Sequence, residues 1–353
     1  MVGLTEPMAL VTDDERPDDA SLMAQAVARA ANSRLVAPPN PWVGAVLVTP
    51  TGVTFEGSTR RPGSAHAERE ALRRAGDRAA GGTLYVTLEP CCHHGRTPPC
   101  VDAVIEADVA RVVVAVSDPD RRVGGSGIER LQAAGIEVAV GPGAGAVEEQ
   151  LAPYLKHRRT GRPLVVVKLA TTLDGRTAAA DGTSQWITGE EARLDAHRLR
   201  AESDAVLVGA GTVRADDPRL TVRGVIAGDG AEPRQPLRVV LGRADPSAAI
   251  QPCVELGGDL TAVLDELGRR DVAQVLVEGG ATVAGAFHRA GLVDRYVIYL
   301  APALMGGDDG TPLLSGPGAS SIGDLRRLQL DRVVKLGHDL RIDLTLGTGA
   351  GLA

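Results

Sequence analysis

The sequence is poor in the features that mark membrane, secreted and nucleic-acid-binding proteins. No run approaches the ~18 consecutive apolar residues that a membrane-spanning helix needs, and the first 17 residues are acidic where a signal peptide would be basic and then apolar. Trp, Tyr and Phe number only 2, 4 and 2, and Lys+Arg (38) fall short of Asp+Glu (45). Because nucleic-acid binders rely on basic surfaces and stacking rings, we expect a cytoplasmic protein without a nucleic-acid or membrane partner.

Cysteine is also scarce, and its distribution is uneven. The chain has four cysteines, too few for a disulfide scaffold at this length, so we expect them to bind metal or take part in catalysis. The window 66–100 holds three of the four cysteines and three of the seven histidines, namely Cys91, Cys92, Cys100, His66, His93 and His94.

The length and the order of the predicted elements indicate two α/β domains. The chain is about 2.4 times a ~150-residue domain. Strands and helices alternate through the first half, as in a sheet covered by helices, and a helix is predicted over 145–155. The stretch KHRRTGRP is charged and lacks periodicity. We therefore place one domain at 18–155, a linker at 156–163 and a second domain at 164–347.

The first chemical cluster consists of His66, Glu68, Cys91 and Cys100. One imidazole and two thiolates are a known ligand set of an open zinc site, which leaves the fourth position to water. Glu68 lies two residues beyond His66, so the two side chains diverge. Glu68 is still near enough to reach a metal-bound water as a general acid and base.

A closed structural zinc site is the alternative interpretation of the same residues. Such a site needs a fourth thiolate or imidazole. Cys92, His93 or His94 could supply that ligand, because all three lie in the loop between the two cysteines.

Three motifs resemble one deaminase family. PNPWVGAV (39–46), HAE (66–68) and LEPCCHHGRTPPC (88–100) are similar to the deaminase half of the bacterial bifunctional riboflavin-biosynthesis deaminase/reductases, the RibD (RibG) family. Nucleobase deaminases in general carry a short P-C-x-x-C element, whereas the long spacing and the GRTPPC ending are specific to this branch. The resemblance implies a cytidine-deaminase-like α/β/α domain.

The resemblance also implies roles for individual residues. One Zn²⁺ per chain would bind His66, Cys91 and Cys100, and Glu68 would carry the proton to the departing amine. Asn40 would bind the pyrimidine, and His93 and Arg96 would contact the phosphoribosyl end of the substrate. The sequence departs from the family at two positions nearby, Cys92 where Ser is usual and Thr59 where His is frequent.

The second half carries a glycine-rich turn of a different kind from the Rossmann fingerprint. No G-x-G-x-x-G element opens a βαβ unit, which argues against a Rossmann dinucleotide site. VAQVLVEGGATVAGAF (272–287) instead predicts a strand, the turn Gly279-Gly280 and a helix whose N-terminus could bind a phosphate. A tight turn that binds nothing is the alternative.

The remainder of this half resembles the reductase half of the same family. PLVVVKLATTLDGRTA (163–178), the segment 181–223 and VEGGATVAGAF (277–287) match it in order and spacing. The resemblance implies a C-terminal dihydrofolate-reductase-like α/β domain with NADPH as hydride donor. The implied NADPH contacts are Ala170, Trp186, Thr212, Asp216, Gly280, Ala281, Thr282, Val283, Ala284, Gly285 and Ala286. The implied substrate contacts are Ser184, Arg200, Leu220, Arg223 and Glu278.

Lysine is the third scarce residue, with three against 35 arginines. Lys168 lies inside an apolar predicted strand, where an unpaired ammonium is costly, so it needs an acidic partner or a ligand. It is either a salt-bridged structural lysine or a catalytic group that binds or protonates near the ribose carbonyl. Asp174 and Asp217 are interpreted as turn formers.

The two halves together predict a bifunctional enzyme of riboflavin biosynthesis. The first would deaminate 2,5-diamino-6-ribosylamino-4(3H)-pyrimidinone 5′-phosphate by zinc-dependent hydrolysis. The second would use NADPH to reduce the ribosyl group of 5-amino-6-(5-phosphoribosylamino)uracil to a ribityl group. Its partners would be these small phosphoribosyl-pyrimidines, and the resemblance implies a homo-oligomer, either a dimer or a tetramer. The alternative is a zinc nucleobase deaminase whose second domain binds NADPH or acts as a scaffold without catalysis.

Overall fold

The computed structural model describes residues 18–94, 97–120 and 123–346. Its contacts divide the chain into two compact units, Met1–Leu151 and Ala152–Ala353. Within the described residues, no helix is both long enough and apolar enough to cross a membrane.

The first unit is a mixed five-stranded sheet with helices packed against it. Its helices are α1 (Asp19–Ala31), α2 (Ala67–Ala75), α3 (Cys100–Glu106), α4 (Ser126–Ala133) and α5 (Ala144–Gln150). Its strands are β1 (Gly44–Val48), β2 (Thr54–Ser58), β3 (Thr83–Leu88), β4 (Arg111–Val116) and β5 (Glu137–Val140). The strand order is β2-β1-β3-β4-β5, in which β3, β4 and β5 run parallel and β1 is antiparallel to both neighbours.

Two groups of helices cover this sheet, as the predicted α/β/α layering requires. Helix α1 contacts α5, whereas α2 contacts α3 and α3 contacts α4. Asp18 caps α1 by accepting the backbone N–H of Ser21 at 2.6 Å. Trp42 is 3% exposed, its indole N–H donates to the carbonyl of Gln150 at 3.2 Å, and the guanidinium of Arg34 covers its ring at 3.7 Å.

Two glycines let the helices approach the first two strands closely. A Cβ on Gly44 would lie 1.9 Å from the carbonyl oxygen of Ala26 in α1, and a Cβ on Gly57 would lie 2.0 Å from that of Ala67 in α2. No side chain fits at either position. The start of α2 is therefore held against β2 by direct backbone contact.

The second unit is built around an eight-stranded sheet. Its helices are α6 (Ala152–Thr160), α7 (Glu190–Ala201), α8 (Ala210–Asp216), α9 (Leu260–Arg269) and α10 (Ala281–Arg289). Its strands are β6 (Leu164–Thr172), β7 (Arg176–Ala178), β8 (Ala205–Gly209), β9 (Leu237–Leu241), β10 (Val254–Leu256), β11 (Gln274–Val277), β12 (Arg295–Ala301), β13 (Thr311–Pro312), β14 (Leu328–Leu336) and β15 (Asp339–Leu346).

The order of the large sheet is β10-β9-β8-β11-β6-β12-β15-β14, and β7 pairs separately with β13. Strands β6, β8, β9, β10, β11 and β12 are parallel, β15 is antiparallel to β12, and β14 is antiparallel to β15. Parallel strands buried on both faces explain the continuous Val-rich runs of this half. The sheet confirms the predicted α/β architecture of the second half.

The structure differs from the prediction where the two units join. The segment 156–163, predicted as an irregular linker, is helical as far as Thr160. His157 is buried, and its Nε2 lies 3.1 Å from the carbonyl oxygen of Gly268. This contact orders a charged stretch that periodicity alone does not identify as helix.

The helix predicted over 145–155 is two helices, α5 and α6. Proline has no N–H, and its ring clashes with the carbonyl four residues earlier in a continuous helix, so it is tolerated only in the first turn. Pro153 is the second residue of α6, and the break precedes it at Leu151. The division between units falls at this break, and the domain bounds 18–155 and 164–347 stay predictions.

Candidate active sites

The three predicted zinc ligands converge in the first unit. His66 Nδ1 lies 3.6 Å from Cys91 Sγ and 3.3 Å from Cys100 Sγ, and the three ligand atoms lie within 4.8 Å of one another. A tetrahedral zinc ion with bonds of about 2.0 Å to nitrogen and 2.3 Å to sulfur would separate these atoms by about 3.6 Å. The donor set therefore fits one zinc ion, with His66 binding through Nδ1.

The ends of two helices and one strand position these ligands. His66 is the residue before α2, Cys91 follows β3, and Cys100 is the first residue of α3. The backbone N–H of Cys100 donates to Cys91 Sγ at 3.3 Å. The N-terminus of α3 therefore points an N–H group at this sulfur, which favours its thiolate form.

The pKa values of the Cys91 and Cys100 thiols are shifted in opposite directions. The Cys100 thiol donates to Cys91, which lowers the pKa of Cys91 to about 4 and raises that of Cys100 well above its usual value. The hydrogen bond with Cys91 also raises the pKa of His66. The lowered pKa of Cys91 favours the thiolate, the form that a metal ligand requires.

The geometry favours an open zinc site over a closed one. Within the described residues, no fourth His, Cys, Asp or Glu belongs to the group formed by His66, Cys91 and Cys100. The other ring nitrogen of His66 lies 3.5 Å from Thr97 Oγ1, a contact of the kind that fixes the orientation of a ligating imidazole. Three protein ligands leave one coordination position for water.

Glu68 lies next to this group in the first turn of α2, and only 4% of the residue is exposed. Burial raises the pKa of Glu68, and the charge of the Cys91 thiolate adds to the effect. A carboxyl group that accepts a proton more readily than an exposed one suits a general acid and base.

The structure describes two of the three predicted substrate contacts of this unit. Asn40 lies in the turn between α1 and β1, where its N–H donates to the carbonyl of Ala37 at 2.9 Å. His93 lies in the loop after β3, and its buried Nδ1 has no hydrogen-bond partner in the described part of the chain. Arg96 lies outside the described residues. The described contacts do not join Asn40 or His93 to the zinc ligands.

The structure shows the contacts of Thr59 and Cys92, the two positions at which the sequence departs from the family. Thr59 is buried, and its hydroxyl accepts the N–H of Val43 at 3.0 Å, so it extends the contact between the first two strands. The carbonyl of Cys92 accepts from Arg130 at 3.3 Å, and burial raises the pKa of the Cys92 thiol.

Sequence reasoning missed Glu89, which holds the loop that follows β4. Its buried carboxylate accepts four backbone N–H groups at 2.9 to 3.3 Å, from Asp118, Gly125, Gly127 and Ile128. A Cβ on Gly127 would lie 2.3 Å from the carbonyl of Pro90. The close contact of Gly127 with Pro90 therefore fixes the backbone immediately before Cys91.

In the second unit, three predicted residues form one charged cluster. Arg200 Nε and Nη2 donate to the two carboxylate oxygens of Glu278 at 2.5 and 2.9 Å, and the Glu278 side chain is 7% exposed. Burial opposes ionisation of Glu278, but the charges of Arg200 and Lys168 outweigh it and lower its pKa. The cluster joins β6, α7 and the end of β11.

Lys168 is not the centre of a simple salt bridge. Burial lowers the pKa of Lys168, and Glu278, whose charge opposes this shift, is already paired with Arg200. The Lys168 ammonium lies 5.7 Å from the centroid of the Tyr299 ring, within the range of a cation–π contact. Its position suits a group that changes its protonation state.

A buried network that sequence reasoning missed supports Tyr299. The Tyr299 hydroxyl donates to Asp195 Oδ2 at 2.6 Å, Arg341 donates to the same oxygen at 2.8 Å, and Arg341 also pairs with Asp343. The alternation in β15 was a possible signal, since its buried positions Asp339, Arg341 and Asp343 are all charged.

Two predicted NADPH contacts meet at the glycine-rich turn. The Gly280 N–H donates to Thr212 Oγ1 at 3.3 Å. A Cβ on Gly279 would lie 2.6 Å from Val283 Cβ, so only glycine permits this turn. Gly280 is the N-cap of the nine-residue helix α10 and brings no capping side chain of its own, so the first N–H groups of this helix could bind a phosphate group.

The other predicted reductase residues lie on strand β6, on helices α8 and α10 or in connecting segments, with residues 281–286 in the first turns of α10. Ser184 and Trp186 lie between β7 and α7, Ala170 lies on β6, Asp216 ends α8, and Leu220 and Arg223 follow α8. Trp186 is 70% exposed, and the guanidinium of Arg193 lies 4.6 Å from its ring centroid.

Asp174 lies in the turn between β6 and β7, whereas Asp217 is the left-handed C-cap of α8. Asp174 accepts the N–H groups of Met305 and Gly306, at 3.1 and 2.8 Å to the same oxygen. Asp217 has φ +38°, and its carboxylate accepts the N–H of Ala249 at 2.7 Å.

Comparison with known proteins assigns both units. Residues 16–116 match the cytidine and deoxycytidylate deaminase zinc-binding region, and residues 163–342 match the RibD C-terminal domain. The riboflavin biosynthesis protein RibD of Mycobacterium tuberculosis is 48% identical over 319 residues, 87% of this chain and 91% of that protein. The RibD of Escherichia coli is 39% identical over 363 residues, 92% of this chain and 99% of that protein.

Two solved structures resemble the whole chain. Acinetobacter baumannii RibD has a TM-score of 0.87 at 38% identity, and the match covers 93% of this chain and 98% of that one. A diaminohydroxyphosphoribosylaminopyrimidine deaminase/5-amino-6-(5-phosphoribosylamino)uracil reductase from Thermotoga maritima has a TM-score of 0.81 at 32% identity, with the same coverage of 93% and 98%.

Fold, site and comparisons together define a bifunctional enzyme, with a zinc-binding deaminase unit and a reductase unit in one chain. The chain belongs to the RibD family of riboflavin-biosynthesis proteins. These findings support the predicted deaminase/reductase and not the alternative in which the second unit lacks catalysis.

Proposed function

We propose that the first unit deaminates 2,5-diamino-6-ribosylamino-4(3H)-pyrimidinone 5′-phosphate and that the second reduces the ribosyl group of the resulting 5-amino-6-(5-phosphoribosylamino)uracil. The observation that carries the first half is the convergence of His66 Nδ1 and the thiols of Cys91 and Cys100 beside the buried Glu68. The Thermotoga maritima protein, which resembles the whole chain, is named as a deaminase and reductase of this kind.

In the deaminase unit, His66, Cys91 and Cys100 would hold the zinc ion. When bound, zinc supplies the Lewis acidity that activates water for attack on the amino-bearing ring carbon. Glu68 takes the proton released from this water and gives it to the departing amine, which leaves as ammonia. Its raised pKa suits a group that must hold that proton between the two transfers.

In the reductase unit, the turn before α10 and Thr212 would bind a phosphate of NADPH. NADPH supplies a hydride to C1′ of the ribosyl group. Reduction at C1′ opens the ribose ring, and the ring oxygen that is released needs a proton. Lys168 would supply this proton, because burial lowers its pKa and so eases proton donation. Arg200 is fixed by its two bonds to Glu278, which suits a rigid substrate contact.

The remaining residue roles are part of the same proposal. The substrate contacts would be Asn40, His93, Arg96, Ser184, Arg200, Leu220, Arg223 and Glu278. The NADPH contacts would be Ala170, Trp186, Thr212, Asp216 and residues 280–286. We also propose that 18–155 and 164–347 are the two catalytic domains, that the protein is cytoplasmic, and that it forms a homo-oligomer, which sedimentation velocity would test.

One coupled assay tests the function. The zinc-loaded protein receives the diaminopyrimidinone phosphate with and without NADPH. We expect ammonia release in both samples and, in the sample that contains NADPH, oxidation of NADPH after ammonia has begun to appear. Ammonia release without NADPH oxidation would contradict the reductase proposal, and the absence of both would contradict the substrate assignment.

A further inference from the structure

Tyr299 of β12 lies beside the proposed proton donor of the reductase unit. We propose that Tyr299 is a positioning residue of the reductase site, whose ring holds the ammonium group of Lys168 where it can transfer a proton. The inference rests on the proposed function, since it explains how the proposed donor is kept in place. Tyr299 belongs to none of the motifs that resemble the family.

The pairing of two strands puts Lys168 and Tyr299 on the same face of the large sheet. β6 and β12 are parallel neighbours, and Tyr299 lies opposite Ala170 of β6. Ala170 is two residues beyond Lys168, and side chains two residues apart on a strand share a face. The Lys168 ammonium lies over the Tyr299 ring, 5.7 Å from its centroid, within the range of a cation–π contact. The strand register therefore produces this contact.

The Lys168 ammonium needs such a contact to have a defined position. In the part of the chain that the structure describes, no hydrogen bond or ion pair fixes it, and Glu278 gives both carboxylate oxygens to Arg200. Lysine has a long side chain that is costly to order. Contact with the face of a ring orders the ammonium and leaves its N–H donors free for the substrate. Lys168 is partly exposed, as a group that meets a substrate must be.

Tyr299 is itself held in one position. The residue is 1% exposed, its hydroxyl donates to Asp195 Oδ2 at 2.6 Å, and Arg341 donates to the same oxygen at 2.8 Å. Burial and the bond to Asp195 raise the pKa of Tyr299, so the hydroxyl keeps its proton. Because this O–H is committed to Asp195, the ring and not the hydroxyl acts on Lys168.

The contact should have a definite effect on the protonation of Lys168. The face of an aromatic ring attracts the ammonium form, so the ring opposes burial, which lowers the pKa of Lys168. The charge of Glu278 acts in the same direction as the ring, and that of Arg200 acts in the opposite direction. Loss of the ring should therefore lower the pKa further, so that Lys168 loses its proton at a lower pH.

The test compares Tyr299→Leu, which removes the ring, with Tyr299→Phe, which keeps it. Reduction is measured with 5-amino-6-(5-phosphoribosylamino)uracil. We expect Tyr299→Leu to lower kcat about tenfold or more and to move the high-pH limb of the kcat profile about one unit lower. KM for the pyrimidine and the Kd for NADPH should change much less. Tyr299→Phe should retain most of kcat and the wild-type profile.

Tyr296→Leu is the matched control for the loss of a buried ring. Tyr296 lies on the same strand, is 4% exposed, and packs in the core on the opposite face of the sheet. Its replacement removes a similar apolar area without touching Lys168. We expect it to leave the high-pH limb where it is in the wild type, even if the second unit becomes less stable.

The scarcity of lysine allows a readout that does not depend on activity. With lysine labelled with ¹³C at Cε, the chain gives three signals, from Lys156, Lys168 and Lys335, and Lys168→Met identifies the signal of Lys168. In the wild type, the protons on this carbon should be shifted upfield by the ring current of Tyr299. The signal should titrate about one pH unit higher than in Tyr299→Leu.

The outcomes separate the inference from the function on which it rests. Reduction by Lys168→Met at the wild-type rate would contradict the proposed role of Lys168, while the NMR comparison would still test the contact with the ring. An unshifted Lys168 signal in the wild type would overturn the inference. An equal or higher pKa of Lys168 in Tyr299→Leu, or a Tyr299→Phe variant as impaired as Tyr299→Leu, would overturn it as well.

Discussion

Glu68 and Lys168 are the two proposed proton-transfer groups. Burial raises the pKa of the carboxyl and lowers that of the ammonium, because a low-dielectric environment disfavours the charged form of each. Each pKa is therefore displaced toward neutral pH, the direction that suits a proton-transfer group.

Glu68→Gln should separate zinc binding from deamination. Glutamine keeps the shape of the side chain but cannot accept the proton, so ammonia release should fall at least ~100-fold. Zinc content, measured by atomic absorption, should stay at one ion per chain because the three ligands are unchanged. NADPH oxidation with the deaminated substrate serves as the internal control. Undiminished ammonia release would show that another group carries the proton.

Residues whose chemistry requires a fixed type and spacing can be recognised in the sequence. Residues that act through contacts between distant elements cannot. His66, Glu68, Cys91 and Cys100 were identifiable because zinc chemistry restricts both their type and their separation. Tyr299 and its partners were not, because Asp195, Tyr299 and Arg341 lie on three elements. Only the register of β12 with β15 and the packing of α7 bring these three side chains together.

At the scale of elements, the position of α2 determines the position of two functional side chains, since His66 and Glu68 both lie at its start. Gly57→Ala should displace this helix, because the added Cβ would meet the backbone of Ala67 at 2.0 Å. We expect weaker zinc binding, measured by competition with a chromophoric chelator, and a loss of deaminase activity of about tenfold or more. Gly145→Ala in α5, where a Cβ meets nothing within 4 Å, is the matched control. Zinc affinity equal to that of the control would contradict this account.

Helix α1 is tied to the sheet through one carboxylate. Asp19 accepts both Nη atoms of Arg111 at 2.8 Å and the Tyr85 hydroxyl at 3.0 Å, and the Arg111 bonds lower the pKa of Asp19. Because its folded pKa lies below its unfolded pKa, the carboxylate stabilises the fold above the unfolded value of about 3.9. That contribution disappears as the pH falls through the folded value.

Asp19→Asn should therefore destabilise the first unit by about 1–2 kcal/mol at neutral pH, and the difference from the wild type should shrink below about pH 4. Urea unfolding followed by circular dichroism at several pH values measures this. Glu137→Gln is the control, since Glu137 bonds the same Arg111 at 3.0 Å but is 70% exposed and should cost less than about 1 kcal/mol. A pH-independent difference would mean that the charge of Asp19 is not what stabilises the helix.

Elements with strong local signals were predictable and those decided by tertiary contacts were not. Strands β3, β4, β8 and β9 are short runs in which apolar residues predominate, a pattern that predicts strands from the sequence alone. The helical part of 156–163 was not predicted, because the contact that orders it, His157 with Gly268, joins residues more than 100 positions apart.

At the scale of the whole molecule, each unit has its own core and its own candidate site. All three zinc ligands belong to the first unit, and the cluster of Lys168, Arg200 and Glu278 belongs to the second. Removal of zinc with a chelator should therefore abolish ammonia release and leave NADPH oxidation with the deaminated substrate within about twofold of its initial rate. Added zinc should restore ammonia release. A parallel loss of both activities would show that the reductase depends on the metal.

The two tryptophans give each unit a separate optical label. Trp42 is 3% exposed in the first unit and Trp186 is 70% exposed in the second, so their emission should differ in wavelength and in access to a soluble quencher. Replacing Trp42 with phenylalanine leaves one emitting indole at the proposed coenzyme site, and replacing Trp186 leaves one in the core of the deaminase unit. Unfolding or ligand binding in either unit can then be followed in the intact chain without an added dye.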